Sequence, residues 1–81
     1  MPKYRANPVE VEALKIAEVG VYDSRHGYIP LTLEDGCEVR ASDGMIARMR
    51  PVPGDYWVIQ SDGYIYLNPR EVFERKYSPI P

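Results

Sequence analysis

The chain has 81 residues, ten Lys and Arg against twelve Asp and Glu, a formal net charge of -2 and a single cysteine. That length suits one small domain with a total stability on the order of 5 kcal/mol. Near-neutral charge lacks the basic footprint of a nucleic-acid binder, and a lone Cys37 forbids an internal disulfide, so an intracellular, cytoplasmic protein is expected.

In chain order, residues 1–8 are polar and end in Asn7-Pro8, which reads as an extended arm. With no apolar segment after Met1 and no apolar run near membrane-spanning length, neither a signal peptide nor a membrane anchor is expected. Val9 to Ile16 alternates, with Val9, Val11 and Ala13 opposite Glu10 and Glu12, and predicts a half-buried strand. A helix over Val11 to Val19 competes, because Val11, Leu14 and Ala17 approximate a helical stripe. Residues 20–30 hold Gly20, Asp23, Ser24, Gly27 and Pro30, the composition of a loop.

From Ile29 the punctuation becomes regular. Leu31-Thr32-Leu33 and Cys37 to Ala41 read as strands around Glu34-Asp35-Gly36, and Met45 to Arg50 reads as a strand after Ser42-Asp43-Gly44. The Ser-Asp-Gly turn recurs as Ser61-Asp62-Gly63, so two similar hairpins are expected. Ser42 as a helix cap for Met45 to Arg50 is the competing reading, and Gly44 argues mildly against it. Pro51 and Pro53 then break the sheet and lead into Gly54-Asp55.

The clearest stretch runs from Pro53 to Pro69. Tyr56 to Gln60 and Tyr64 to Leu67 are rich in β-branched and aromatic residues, and predict a hairpin. If Asp62-Gly63 alone forms the turn, Trp57 and Ile59 share a face with Tyr64 and Tyr66. If Ser61-Asp62-Gly63 forms a type I turn with Gly63 left-handed in a bulge, Trp57 and Ile59 share a face with Ile65 and Leu67. The second register is preferred, since it leaves one apolar face and sets Tyr56, Tyr64 and Tyr66 around Val58 and Gln60 on the other. Asn68 as cap, Pro69 at the first helical position and Glu71 as its capping-box partner then start a helix of about two turns, with Val72, Phe73 and Tyr77 near one face. Together these elements predict a mostly β (α+β) domain over residues 1–81: an arm (1–8), a β-rich body (9–67) forming a small antiparallel meander or partly open barrel of five to six short strands, and a C-terminal helix (68–78).

Reactive side chains are sparse. His26 sits in a glycine-containing loop and reads as solvated, and Cys37 beside a turn reads as a small half-buried hydrophobe. No metal-ligand spacing is present, and no cofactor is expected. Glu10 and Glu12 share a face through strand alternation alone, and Asp35, Asp43, Asp55 and Asp62 all neighbour glycine as turn residues. Arg40, Arg48 and Arg50, with Lys3 and Arg5, form either a basic patch or an ordinary charged sheet face. The candidate partner-binding residues are Tyr56, Tyr64, Tyr66, Arg48 and Arg50, because tyrosine and arginine dominate binding hot spots. Burial of those rings under the loop at 20–30 is the competing reading.

Lys3-Tyr4-Arg5 followed by Pro8-Val9-Glu10-Val11-Glu12-Ala13, and Pro53-Gly54-Asp55-Tyr56-Trp57 followed by Gly63, Tyr64, Tyr66, Pro69, Phe73 and Tyr77, resemble the two ends of a family of small uncharacterised phage and prophage proteins. The middle of the chain carries no such likeness. The resemblance implies a phage or prophage origin and brings no activity or catalytic residues with it. The expected role is therefore a non-enzymatic accessory binding protein that engages a host protein, for example to inhibit an antiviral defence system. The alternatives are an oligomeric sponge that sequesters a nucleotide signal, with a site at a homo-oligomer interface, and a minor virion or assembly component.

Overall fold

The structure is a computed structural model and describes residues 2–6 and 9–80. Among them run seven strands and two short helices: β1 (Lys3–Ala6), β2 (Val9–Val19), β3 (Tyr28–Leu33), β4 (Glu38–Ser42), α1 (Asp43–Arg48), β5 (Tyr56–Gln60), β6 (Ile65–Asn68), α2 (Arg70–Lys76) and β7 (Ser78–Pro79). All pairings are antiparallel in one unclosed sheet. The mostly β architecture with a C-terminal helix is as expected. The extra strands are β1 and β7, short polar segments that pair with each other, Tyr4 opposite Pro79. Residues 3–6 of the expected arm are thus built into the sheet, and its end at Asn7-Pro8 lies outside the described residues.

β2 is the strand that every other part of the sheet leans on. Its first half pairs with β1 and its last residues with β3, while β5 pairs along Val11 to Lys15. Ala13 N–H donates to Pro2 O, and Lys15 O accepts from Glu34 N–H. Residues two apart direct their backbone groups to the same side, so β1 and β3 lie along one edge of β2 in succession. Ile16 bonds the other way, to Asp55 O and from Gly54 N–H.

Because successive side chains alternate, β2 and β5 supply two cores, one on each face. Leu14, Ile16 and Trp57 join Ile29, Leu31, Leu33 and Ala41 beneath the β3–β4 hairpin, with Met45 and Ile46 of α1 packed on them. Val11, Ala13, Tyr56 and Val58 join Phe73 and Tyr77 of the C-terminal segment on the opposite face. A central strand with both faces covered reads as a run of apolar residues, as Tyr56 to Ile59 does, whereas Glu12 and Lys15 interrupt Val11 to Ile16.

Two turns share one geometry. Leu33 N–H donates to Cys37 O and Gly36 N–H to Leu33 O, while Gln60 N–H donates to Tyr64 O and Gly63 N–H to Gln60 O. The carboxylates of Asp35 and Asp62 each accept the backbone N–H two residues on, and Gly36 and Gly63 hold φ of 87° and 90°. This is the bulged turn preferred at residues 61–63, and it sets Trp57 opposite Leu67 and Ile59 opposite Ile65.

The turn expected at Ser42-Asp43-Gly44, and the strand after it, are corrected. Ser42 Oγ accepts Met45 N–H at 3.4 Å and caps α1, while Asp43 receives the Tyr22 hydroxyl at 2.7 Å. Asp43 is thereby taken from turn closure, so the local sequence starts a helix as in the competing reading. The expected cap of α2 is also corrected. Asn68 is the last residue of β6, opposite Tyr56, and Pro69 at the cap position makes no side-chain hydrogen bond. The free N–H of Arg70 is satisfied instead by Asp55 Oδ1 at 3.0 Å. Phe73 and Tyr77 face the sheet as expected, but Val72 faces solvent.

Candidate functional site

The five candidate partner-binding residues divide into buried and exposed groups. Tyr56 is buried, its ring stacked on Phe73 at 4.0 Å and its hydroxyl donating to Glu74 Oε2 at 2.7 Å. It holds α2 in place and is removed from any surface. The cover over the tyrosine face is therefore α2 and Tyr4, and not the loop at 20–30. Tyr66 is half-buried at the rim, where its hydroxyl lies 3.3 Å from that of Tyr77.

Tyr64 and Arg48 are exposed and meet each other. The Arg48 guanidinium donates to the Tyr64 hydroxyl and sits 5.9 Å from the Tyr64 ring centroid, and that ring stacks on Tyr66 at 5.9 Å. Here α1 and β6, remote in sequence, set a cation, two aromatic rings and a strand edge side by side. Gln60 bonds Tyr64, so by alternation Tyr64, Tyr66 and Asn68 bond toward β5, and Ile65 and Leu67 turn their N–H and C=O groups outward.

The other cations are scattered. Arg50 follows α1 near Tyr22, whose hydroxyl pKa is raised chiefly by the hydrogen bond to Asp43, with the Arg50 charge opposing weakly. Arg40 lies over the Tyr28 ring at 4.5 Å, and Arg5 pairs with Glu10 at 3.8 Å. Since α1 replaces the expected strand, Arg48 and Arg50 do not share a strand side. Lys3, Glu10, Glu12, Gln60 and Gly63 border an open groove of about 490 Å³. With Lys3 against Glu10 and Glu12 its lining is weakly acidic and mixed, which singles out no ionic ligand.

No family model matches this chain, and neither does any curated protein or solved structure. The site is left to its own chemistry.

That chemistry is not that of a poised nucleophile. Cys37 is exposed, which corrects the half-buried expectation, and the hydrogen bond with the Asp35 carboxylate pushes its thiol pKa up. An activated thiolate needs the opposite shift. His26 is exposed as expected, with Nδ1 3.0 Å from Asp23 Oδ2, and this hydrogen bond together with the backbone N–H groups of His26 and Arg25 holds Asp23 below the usual carboxylate range. Among the described residues no three His, Cys, Asp or Glu converge on a point that would hold a metal ion, and no helix is long and apolar enough to cross a membrane.

Two features escape a residue-by-residue reading. One is the aromatic cluster of Tyr4, Tyr56, Phe73 and Tyr77, drawn from three separate segments. The other is buried Asp55, whose Oδ2 accepts Val52 N–H while Oδ1 caps α2. The only local signal for Asp55 was its place beside Gly54, which marks a turn.

Proposed function

We propose that this chain acts by binding, as a small phage-derived accessory protein that engages a host protein in the bacterial cytoplasm, for example a component of an antiviral defence system. The contact surface is Tyr64, Arg48, the exposed rim of Tyr66 and the outer edge of β6. One observation carries the reading: Arg48 and Tyr64 are hydrogen-bonded to each other on the surface, beside a strand whose outer N–H and C=O groups at Ile65 and Leu67 have no strand partner among the described residues. Arginine and tyrosine are the residues that most often anchor protein interfaces, and a free edge without charge or proline accepts an added strand.

The test is affinity capture from host cells with the wild-type chain, Tyr64→Ala and Arg48→Glu, followed by calorimetry on the purified partner. A partner bound by the wild type and weakened at least about tenfold by either substitution supports the proposal. Recovery of the chain alone, or equal binding by all three proteins, ends it.

A further inference from the structure

β4 is an outer strand of the sheet, paired with β3 and, among the described residues, with no other strand. The turn before it fixes which of its backbone groups face out. Leu33 bonds Cys37, and bonded and non-bonded pairs alternate, so Val39 and Ala41 bond toward β3 while Glu38 and Arg40 present their N–H and C=O groups to the open side. Their side chains are exposed, whereas Val39 is half-buried and Ala41 fully buried on the core face. Neither Glu38 nor Arg40 has an ion-pair partner among the described residues.

We infer that β4 pairs with β4 of a second copy of this chain, antiparallel about a two-fold axis at Val39, so that Glu38 of each protomer faces Arg40 of the other. Charge selects this register. An axis at Arg40 sets arginine against arginine, and an axis at Glu38 sets glutamate against glutamate, both unfavourable across a strand pair. At Val39 two of the strand's three outward residues, Glu38 and Arg40, meet the same two of the other strand, giving four backbone hydrogen bonds and two opposite-charge pairs. A second copy supplies this complement with no further requirement, while any other strand must carry the same two charges at the same spacing. The remaining free edges offer no such code: β6 turns uncharged Ile65 and Leu67 outward, and β7 is two residues long and contains Pro79.

Sedimentation equilibrium with Glu38→Arg and Arg40→Glu variants tests the pairing. The wild type is expected to double its molar mass at chain concentrations on the order of 100 μM, the weak regime of a small contact, and to dissociate as salt rises. Each single variant is expected to associate at least roughly tenfold more weakly, since both cross-strand pairs become like-charged. An equimolar mixture of the two variants restores association, because a strand carrying two arginines then faces a strand carrying two glutamates. Circular dichroism melts report that each variant is folded. Should either fail to fold, Val39→Cys in a Cys37→Ser background gives the alternative readout, an intermolecular disulfide on mild oxidation at the axis. A wild type that stays monomeric to millimolar concentration overturns the inference. So do folded single variants that dimerise like the wild type, a mixture no more associated than its components, or a Val39→Cys protein that does not cross-link.

Discussion

Asp55 Oδ1 accepts the backbone N–H of Arg70 at 3.0 Å, so a residue just ahead of β5 caps the helix that begins fifteen positions later. Its other oxygen holds Val52 N–H, and the residue is 7% exposed. Asp55→Ala leaves two N–H donors without their partner and is expected to cost about 2 kcal/mol, lowering Tm by roughly 8–16 °C. Thermal unfolding followed by circular dichroism measures this. A shift of only a degree or two would show that the contact holds nothing.

Phe73 is fully buried, with its ring against Tyr56 at 4.0 Å, Tyr77 at 4.7 Å and Tyr4 at 4.9 Å. Phe73→Ala is expected to cost roughly 3–5 kcal/mol, close to the whole stability of a domain this size, so the variant should be largely unfolded at room temperature. Phe73→Leu keeps most of the volume and should remain folded with a loss of about 1.5 kcal/mol. Urea denaturation of both separates this from a peripheral role, in which the two losses would be equal and small.

Burial first, then the hydrogen bond with Tyr77, pushes the Tyr66 hydroxyl pKa up to about 12, and burial with the Glu74 hydrogen bond raises Tyr56 still further. The neutral phenol is the form the folded state favours. The folded chain therefore holds its protons above pH 10, where the unfolded chain releases them, and stability present below pH 10 is lost as pH rises toward 12. Denaturant midpoints measured across that window should fall for the wild type and fall less steeply for Tyr66→Phe. Parallel curves would refute the assignment.

One tripeptide, two outcomes, makes a paired test. Gly63 sits at φ 90° with nothing within 4 Å of an added Cβ, so Gly63→Ala is expected to destabilise by about 1 kcal/mol through the backbone alone. Gly44 lies in the first turn of α1 at ordinary φ, with only Ser42 Oγ at 4.0 Å from that Cβ, so Gly44→Ala should stabilise by roughly 0.5 kcal/mol. Equal signs in urea titrations would contradict the two conformations.

What the sequence made legible was local. Val9 to Ile16 announces a strand by alternation, and Ser61-Asp62-Gly63 announces a turn by composition, while the bulged register is preferred over a two-residue turn because it gathers Trp57, Ile59, Ile65 and Leu67 on one face. The failures are contacts between distant segments. Ser42-Asp43-Gly44 carries the same letters as the later turn, and its fate also involves Tyr22, twenty-one residues away from Asp43. Asn68-Pro69 has good capping chemistry of its own, yet Asp55 fills the role from across the hairpin. The tyrosine face was visible as a face, but alternation says only that side chains share a side and not what lies over them. The meeting of Arg48 with Tyr64 had no sequence signal, because the chain expected to form a strand from Met45 onward instead closes a helix of about a turn and a half.

The same two strands furnish apolar residues to both cores, Val11 and Ala13 upward where Leu14 and Ile16 go downward, Tyr56 and Val58 opposite Trp57. Neither layer can melt while its neighbour stays intact, since β2 and β5 are common property. Amide protons along Val11 to Ile16 and Trp57 to Ile59 should exchange only through global opening, at one shared slow rate, and the molecule should come apart as a single cooperative unit despite having two hydrophobic centres.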